Sequence, residues 1–152
     1  MNSLHIMTCE FCEQDGGEVL WRDESCRVVY VDESGYPGFC RVIWTAHVTE
    51  MTDLPGEARD RLMGVVFAVE TVLREVLRPH KLNLASLGNI TPHLHWHVIP
   101  RFADDPHFPN PIWGERIRAP VATGGAQLRG ALRAALTRHL GSSGAAPRSG
   151  KL

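Results

Sequence analysis

The chain has 152 residues, enough for one domain with a full core. Hydrophobic residues make up 43% and charged residues 22%, an ordinary globular balance. The formal net charge is −1, which excludes a global field drawing the chain to nucleic acid or to an anionic membrane. No stretch approaches the length of a membrane span. Met1 to Glu10 lacks the basic and long apolar regions of a signal peptide, so a cytoplasmic location is expected. In that compartment four cysteines point to thiols or metal ligands rather than to a disulfide framework.

Glu18–Arg22 and Cys26–Asp32 read as short strands joined by the turn Asp23-Glu24-Ser25. Gly35, Pro37 and Gly38 mark a loop, and Phe39–Trp44 reads as a third strand. The clearest helix follows. Pro55 stands near its start, Thr52 or Asp53 is placed to cap it, and Pro79 stops it. Leu62, Val65, Val66, Val69, Val72, Leu73 and Val76 recur at helical spacing, one apolar stripe suited to a sheet face. Leu82–Leu87 reads as a fourth strand and His93–Pro100 as a fifth, with Gly88-Asn89 opening the connection. Residues 102–124 read as irregular. Leu128, Leu132, Ala135, Leu136 and Leu140 suggest a short second helix. These elements predict a single α+β domain over residues 1–140, with one long helix on one face of a mostly antiparallel five-stranded sheet. The Gly/Ser/Ala-rich tail over residues 141–152 is expected to be flexible.

Residues 93 to 97 read His-Leu-His-Trp-His. On a strand, His93, His95 and His97 share one face, about 6.5–7 Å apart, while Leu94 and Trp96 take the other. A helix would scatter them. Two chemistries fit such a strand. One imidazole acts as a rigidly held nucleophile, or alternate histidines bind a catalytic zinc.

Cys9-Glu10-Phe11-Cys12 is a second constellation. A Cys-x2-Cys pair bites one tetrahedral metal, or serves as a redox dithiol. Redox pairs of this kind normally open a helix after a strand, and this one sits near the amino terminus. Cys26 and Cys40, on strands, read as small buried residues.

The His-x-His-x-His run with apolar x resembles the signature of the histidine-triad (HIT) superfamily of nucleotide hydrolases and transferases. Gly38, Phe39–Trp44 and His47 resemble that family's Gly-His-x-Leu-Val-Ile-Pro-Lys-x-His segment. Gly88-Asn89 resembles the Gly-Gln before the triad, and Val98-Ile99-Pro100-Arg101 resembles the Pro-Arg ending of many hydrolase members. The likeness spans roughly residues 9–101.

The resemblance implies a homodimer that binds a nucleotide on the open face of its sheet. It implies that His95 is the nucleophile, attacking an α-phosphorus to give a covalent nucleotidyl-histidine, with dinucleoside polyphosphates or nucleoside phosphoramidates as candidate substrates. His97 would hydrogen-bond the phosphate oxygens, and the backbone around His93 would orient the nucleophile. Zinc-carrying relatives imply a structural Zn2+ on Cys9, Cys12, His47 and His93. Asp32 matches an aspartate that binds ribose hydroxyls, and Asn83 and Asn89 are candidate phosphate contacts.

Several positions depart from the pattern. Phe39 replaces a histidine, Asn89 a glutamine and Trp44-Thr45 a Pro-Lys pair, and Thr91-Pro92 precedes the triad. Phe39 motivates an alternative, a nucleotide-binding or regulatory module without turnover. A zinc-dependent hydrolase using the histidine cluster is a further one. Trp113 is read as packing down the irregular segment, with a cover over the nucleotide site or over a neighbouring subunit as the other options. His107, Asp104 and Asp105 are expected to be solvated loop residues, and His5, His80 and His139 carry no pattern.

Overall fold

A computed structural model describes residues 8–121 and 125–144. The strands are β1 (Glu18–Arg22), β2 (Cys26–Tyr30), β3 (Cys40–Trp44), β4 (Lys81–Ala85) and β5 (His95–Arg101). The α-helices are α1 (Glu10–Glu13), α2 (Gly56–Leu77) and α3 (Ala126–Leu140). The five strands form one antiparallel sheet in the order β1-β2-β3-β5-β4. The α+β architecture is the expected one.

Alternation divides the sheet into two faces. Cys26, Val28, Tyr30, Cys40, Val42, Trp44, Trp96 and Val98 look toward α2 and α3 and form the main core with Leu62, Val65, Val66, Val69, Val72 and Leu73 of α2. Leu132, Ala135 and Leu136 of α3 complete that layer. Cys26 and Cys40 are buried as expected, and burial pushes each thiol up to about 12. The opposite face carries Arg27, Val29, Arg41, Ile43, His95, His97, Ile99 and Arg101, as the cross-strand pairs Arg27–Ile43, Ile43–His95 and Arg41–His97 show.

Several local expectations are corrected. His93 lies outside the last strand, because Pro92 and a turn from the His93 N–H to the Thr91 carbonyl break the ladder before it. The strand instead runs on through Pro100 to Arg101, past the end of β3. Asp53 does not cap α2. Its carboxylate accepts from the N–H groups of Thr49 and Glu50 and closes a 3-10 turn at Met51–Asp53, and Pro55 occupies the N-cap. As expected, α2 stops before Pro79: it ends at Leu77, two residues earlier, with Arg78 in the left-handed region at φ 48°. Helix α1 has no counterpart in the expected elements. Residues 141–144 are tied to β1: Trp21 donates its indole N–H to the Gly141 carbonyl at 3.0 Å, and Gly144 N–H donates to the Arg22 carbonyl at 3.0 Å. Residues 145–152 of the expected tail, and His5, lie outside the described residues.

Candidate active site and metal centre

His95 and His97 stand on the sheet face that α2 and α3 leave free. The His95 ring is not open to bulk solvent; it is 6% exposed and lines a cavity of about 500 Å³ with His97, Arg41, Phe11, Asn89 and Trp113. Its Nδ1–H has one acceptor, the His93 carbonyl at 2.6 Å. That bond fixes the tautomer and leaves the Nε2 lone pair free. The backbone beneath it is held as well, since Ser86 Oγ donates to the His95 carbonyl at 2.6 Å. The Phe11 ring meets His95 edge-on, with centroids 4.9 Å apart at 86°.

Burial pushes the His95 imidazole below its ordinary range, against the pull of its bond to the His93 carbonyl. His97 is pushed down to about 3 by burial, with His95 and Arg41 adding to the shift. Both rings are therefore neutral near pH 7, the state in which an imidazole nitrogen has a lone pair to give.

The second cluster adjoins the first. His93 donates Nε2–H to the Trp44 carbonyl at 2.6 Å, which turns the Nδ1 lone pair the other way. There Nδ1 lies 3.3 Å from Cys9 Sγ, 3.5 Å from Cys12 Sγ and 3.2 Å from His47 Nδ1. Cys12 Sγ lies 3.4 Å from His47 Nδ1. All four ligand atoms fall within 4.8 Å of one another. Donors around a tetrahedral zinc sit about 3.3–3.8 Å apart, given zinc–nitrogen and zinc–sulfur bonds of about 2.0–2.3 Å. The four separations around His93 and Cys12, 3.2–3.5 Å, match edges of such a tetrahedron. The His93 Nδ1 lone pair faces His47 Nδ1 at 3.2 Å, a spacing suited to two nitrogens on one cation.

Helix α1 places both thiols, one turn apart, under this cluster. Its carbonyl end is gripped by Arg27, which is 5% exposed and donates to the carbonyls of Phe11, Gln14 and Asp15 at 2.8, 3.0 and 2.9 Å. Phe11 inserts against Val29 and Ile43.

A HIT domain family model matches residues 13–104. The chain belongs to the HIT domain family. Solved histidine-triad structures share its fold. One from Bradyrhizobium japonicum superposes with a TM-score of 0.69 at 28% identity, covering 83% of this chain and 92% of that one. Another from Marinobacter aquaeolei gives 0.68 at 28% identity over 92% and 96%. A Zn-bound histidine triad family protein from Mycobacterium smegmatis gives 0.63 at 25% identity over 87% and 95%. The AP-4-A phosphorylase of Mycobacterium tuberculosis is 31% identical over 87 residues, 53% of this chain and 45% of the relative. The chain thus spans about half the length of the curated relatives it matches.

Within this HIT domain the structure brings together His95, His97 and Asn89 at the cavity, and Cys9, Cys12, His47 and His93 beside it. Asp32 and Asn83 are not among the residues lining that cavity. The Asp32 side chain is 83% exposed, 3.7 Å from Arg129 of α3. The Asn83 amide oxygen accepts from Arg101 at 2.8 Å. The Trp113 ring lies edge-on to His97, with centroids 5.1 Å apart, and lines the cavity. Asp105 is not solvated but 4% exposed, and accepts from Arg101 Nε at 2.8 Å and Nη2 at 3.0 Å. His107 takes part in a hydrogen bond with the Tyr36 hydroxyl. Arg41, Ser86 and Phe11 are absent from the expected set. For Arg41 a signal existed: it is the one charged residue among the side chains alternating along Phe39–Trp44.

Proposed function

We propose that the chain is a nucleotide hydrolase or nucleotidyl transferase acting at an α-phosphorus through His95. One observation carries this reading: the His95 Nδ1–H is committed to the His93 carbonyl, and the ring lines a cavity. The Nε2 lone pair forms a bond to the α-phosphorus. The bond from phosphorus to the leaving-group oxygen or nitrogen breaks and its electron pair departs with that atom. Water then forms a new oxygen–phosphorus bond, the N–P pair returns to Nε2 and the water's proton is released. His97 hydrogen-bonds the phosphoryl oxygens as charge develops, and Asn89 reaches the phosphate chain from the loop after β4. Trp113 covers this end of the cavity.

Zinc on Cys9, Cys12, His47 and His93 would be four-coordinate and structural, joining α1 to the strand that carries His95. His95 stands outside that donor set, which disfavours the metal-hydrolase alternative. Asp32 meets the ribose only if its side chain turns away from Arg129, and Asn83 acts by steadying Arg101. The functional unit is a homodimer in the cytoplasm.

The name of the Mycobacterium tuberculosis relative supports dinucleoside polyphosphates as first substrates and inorganic phosphate as an alternative acceptor to water. Incubation with diadenosine tetraphosphate, with and without phosphate, is expected to release nucleotides, and His95→Ala is expected to release none. Phe39, packed on His97 with centroids 5.7 Å apart, favours the second reading, a binding module. Tight nucleotide binding without product in the wild type would favour that module, and full turnover by His95→Ala would exclude the proposed route.

A further inference from the structure

Arg41 is paired with His97 across β3 and β5, and its side chain lines the same cavity as the two histidines. The Phe11 and Phe39 rings flank its guanidinium at 5.8 and 5.9 Å. One terminal nitrogen donates to the Gly16 carbonyl at 3.2 Å. Its Nε is buried and has no hydrogen-bond partner among the described residues, and the same holds for Nδ1 of His97. The other arginines of this face are satisfied. Arg27 has three backbone carbonyls, and Arg101 has the Asp105 carboxylate, the Asn83 amide and the Asn110 carbonyl. Glu10 and Glu33 favour the Arg41 charge only through space, while burial works against it.

Buried N–H groups without a partner are rare in native proteins, and each calls for an explanation. A desolvated guanidinium fork matches two oxygens of a single anion. The edge of a base or a sugar hydroxyl would satisfy a donor but would not neutralise the cation. Two orphaned nitrogens on paired residues, beside a nucleophile suited to phosphorus, narrow the anion to a phosphate.

We propose that Arg41 is the anion-binding and specificity-determining residue of this cavity, taking phosphate oxygens of the nucleotide beside His97. The assignment rests on the nucleotide reading above. It makes nucleotide charge, rather than the nucleoside, the chief source of affinity.

The test is calorimetric binding of adenosine, AMP and ADP, and of guanosine, GMP and GDP, to wild type, Arg41→Met and Arg41→Lys at fixed salt. Methionine keeps the stem and removes the charge. Wild type is expected to bind the diphosphates more tightly than the nucleosides. Arg41→Met is expected to lose about tenfold or more in diphosphate affinity, with nucleoside binding within about twofold. Arg41→Lys is expected to keep the preference at reduced strength, since it retains the charge without the fork. It carries the test if the methionine variant does not fold. The proposal is overturned by unchanged diphosphate binding in Arg41→Met, by equal loss for nucleosides, or by a wild type without the preference. Nucleotide attachment to His95, scored in wild type incubated separately with diadenosine tetraphosphate, judges the reaction: its absence sinks the covalent route and leaves the binding comparison intact.

Discussion

His95 carries a usable lone pair because its neighbours offer it only an acceptor on the other side. The His93 carbonyl takes the Nδ1 proton, and the Ser86 hydroxyl holds the carbonyl of His95 itself. Removing that hydroxyl leaves a half-buried carbonyl without its donor and loosens the ring's mounting. Ser86→Ala is expected to lower kcat/KM by about tenfold, the equivalent of one hydrogen bond of about 1.4 kcal/mol, with metal content unchanged. Steady-state kinetics beside elemental analysis checks this, and an unaltered kcat/KM would remove Ser86 from the account. The histidines were legible because alternation along a strand is written in consecutive residues. Ser86 was not, because its importance comes from a bond to a residue on another strand, and Arg41 showed only as a lone charge on an apolar strand whose partner lies far along the chain.

At the scale of elements, α1 is the part that sequence periodicity could not reveal. Four residues complete barely one turn, too few for a repeating apolar stripe. Its position follows instead from Arg27 holding its carbonyl end, Phe11 in a pocket of Val29 and Ile43, and the thiols facing His47 and His93. The Cys-x2-Cys spacing gave the ligands without the helix that presents them. Cys12→Ser is expected to reduce bound zinc to well below one ion per chain and to lower Tm. Elemental analysis and a thermal melt, each before and after chelation, read both effects. A Tm in the wild type that ignores chelation would contradict a structural role for the metal. The ends of the fifth strand were blurred for another reason: Pro100 reads as a stop, yet it sits where β5 has run past β3.

At the scale of the whole molecule, one buried ion pair sets the shape of the cavity. Arg101, at the end of the histidine strand, holds Asp105, and Asp105 also accepts from the backbone N–H groups of Phe102, His107 and Phe108. This folds the irregular segment back so that Trp113 meets His97. Sequence made Asp105 look solvated because a loop aspartate after a strand usually is; only the burial of Arg101 reverses that expectation. Removing one partner of such a pair costs about 3 kcal/mol, so Asp105→Asn is expected to lower unfolding stability by about that amount. Burial alone would raise the Asp105 carboxyl, but Arg101 and the three N–H groups together hold it below its ordinary value. A depressed folded-state pKa gives stability that is present above the unfolded value of about 3.9 and lost as pH falls through the folded one. The wild type is thus expected to lose stability below about pH 4, with a shallower acid slope in Asp105→Asn, as denaturant melts across pH would show.

Turnover by this route requires a covalent bond between the nucleotide and His95, formed by a lone pair that the fold leaves free. Brief exposure to an adenylylated substrate, rapid acid-free quenching and peptide mass spectrometry test it most directly. The expected result is one adenylyl group on the peptide carrying His95, absent from His95→Ala. Product release with no modified peptide at any time in the first turnover would contradict it and point to direct attack by water.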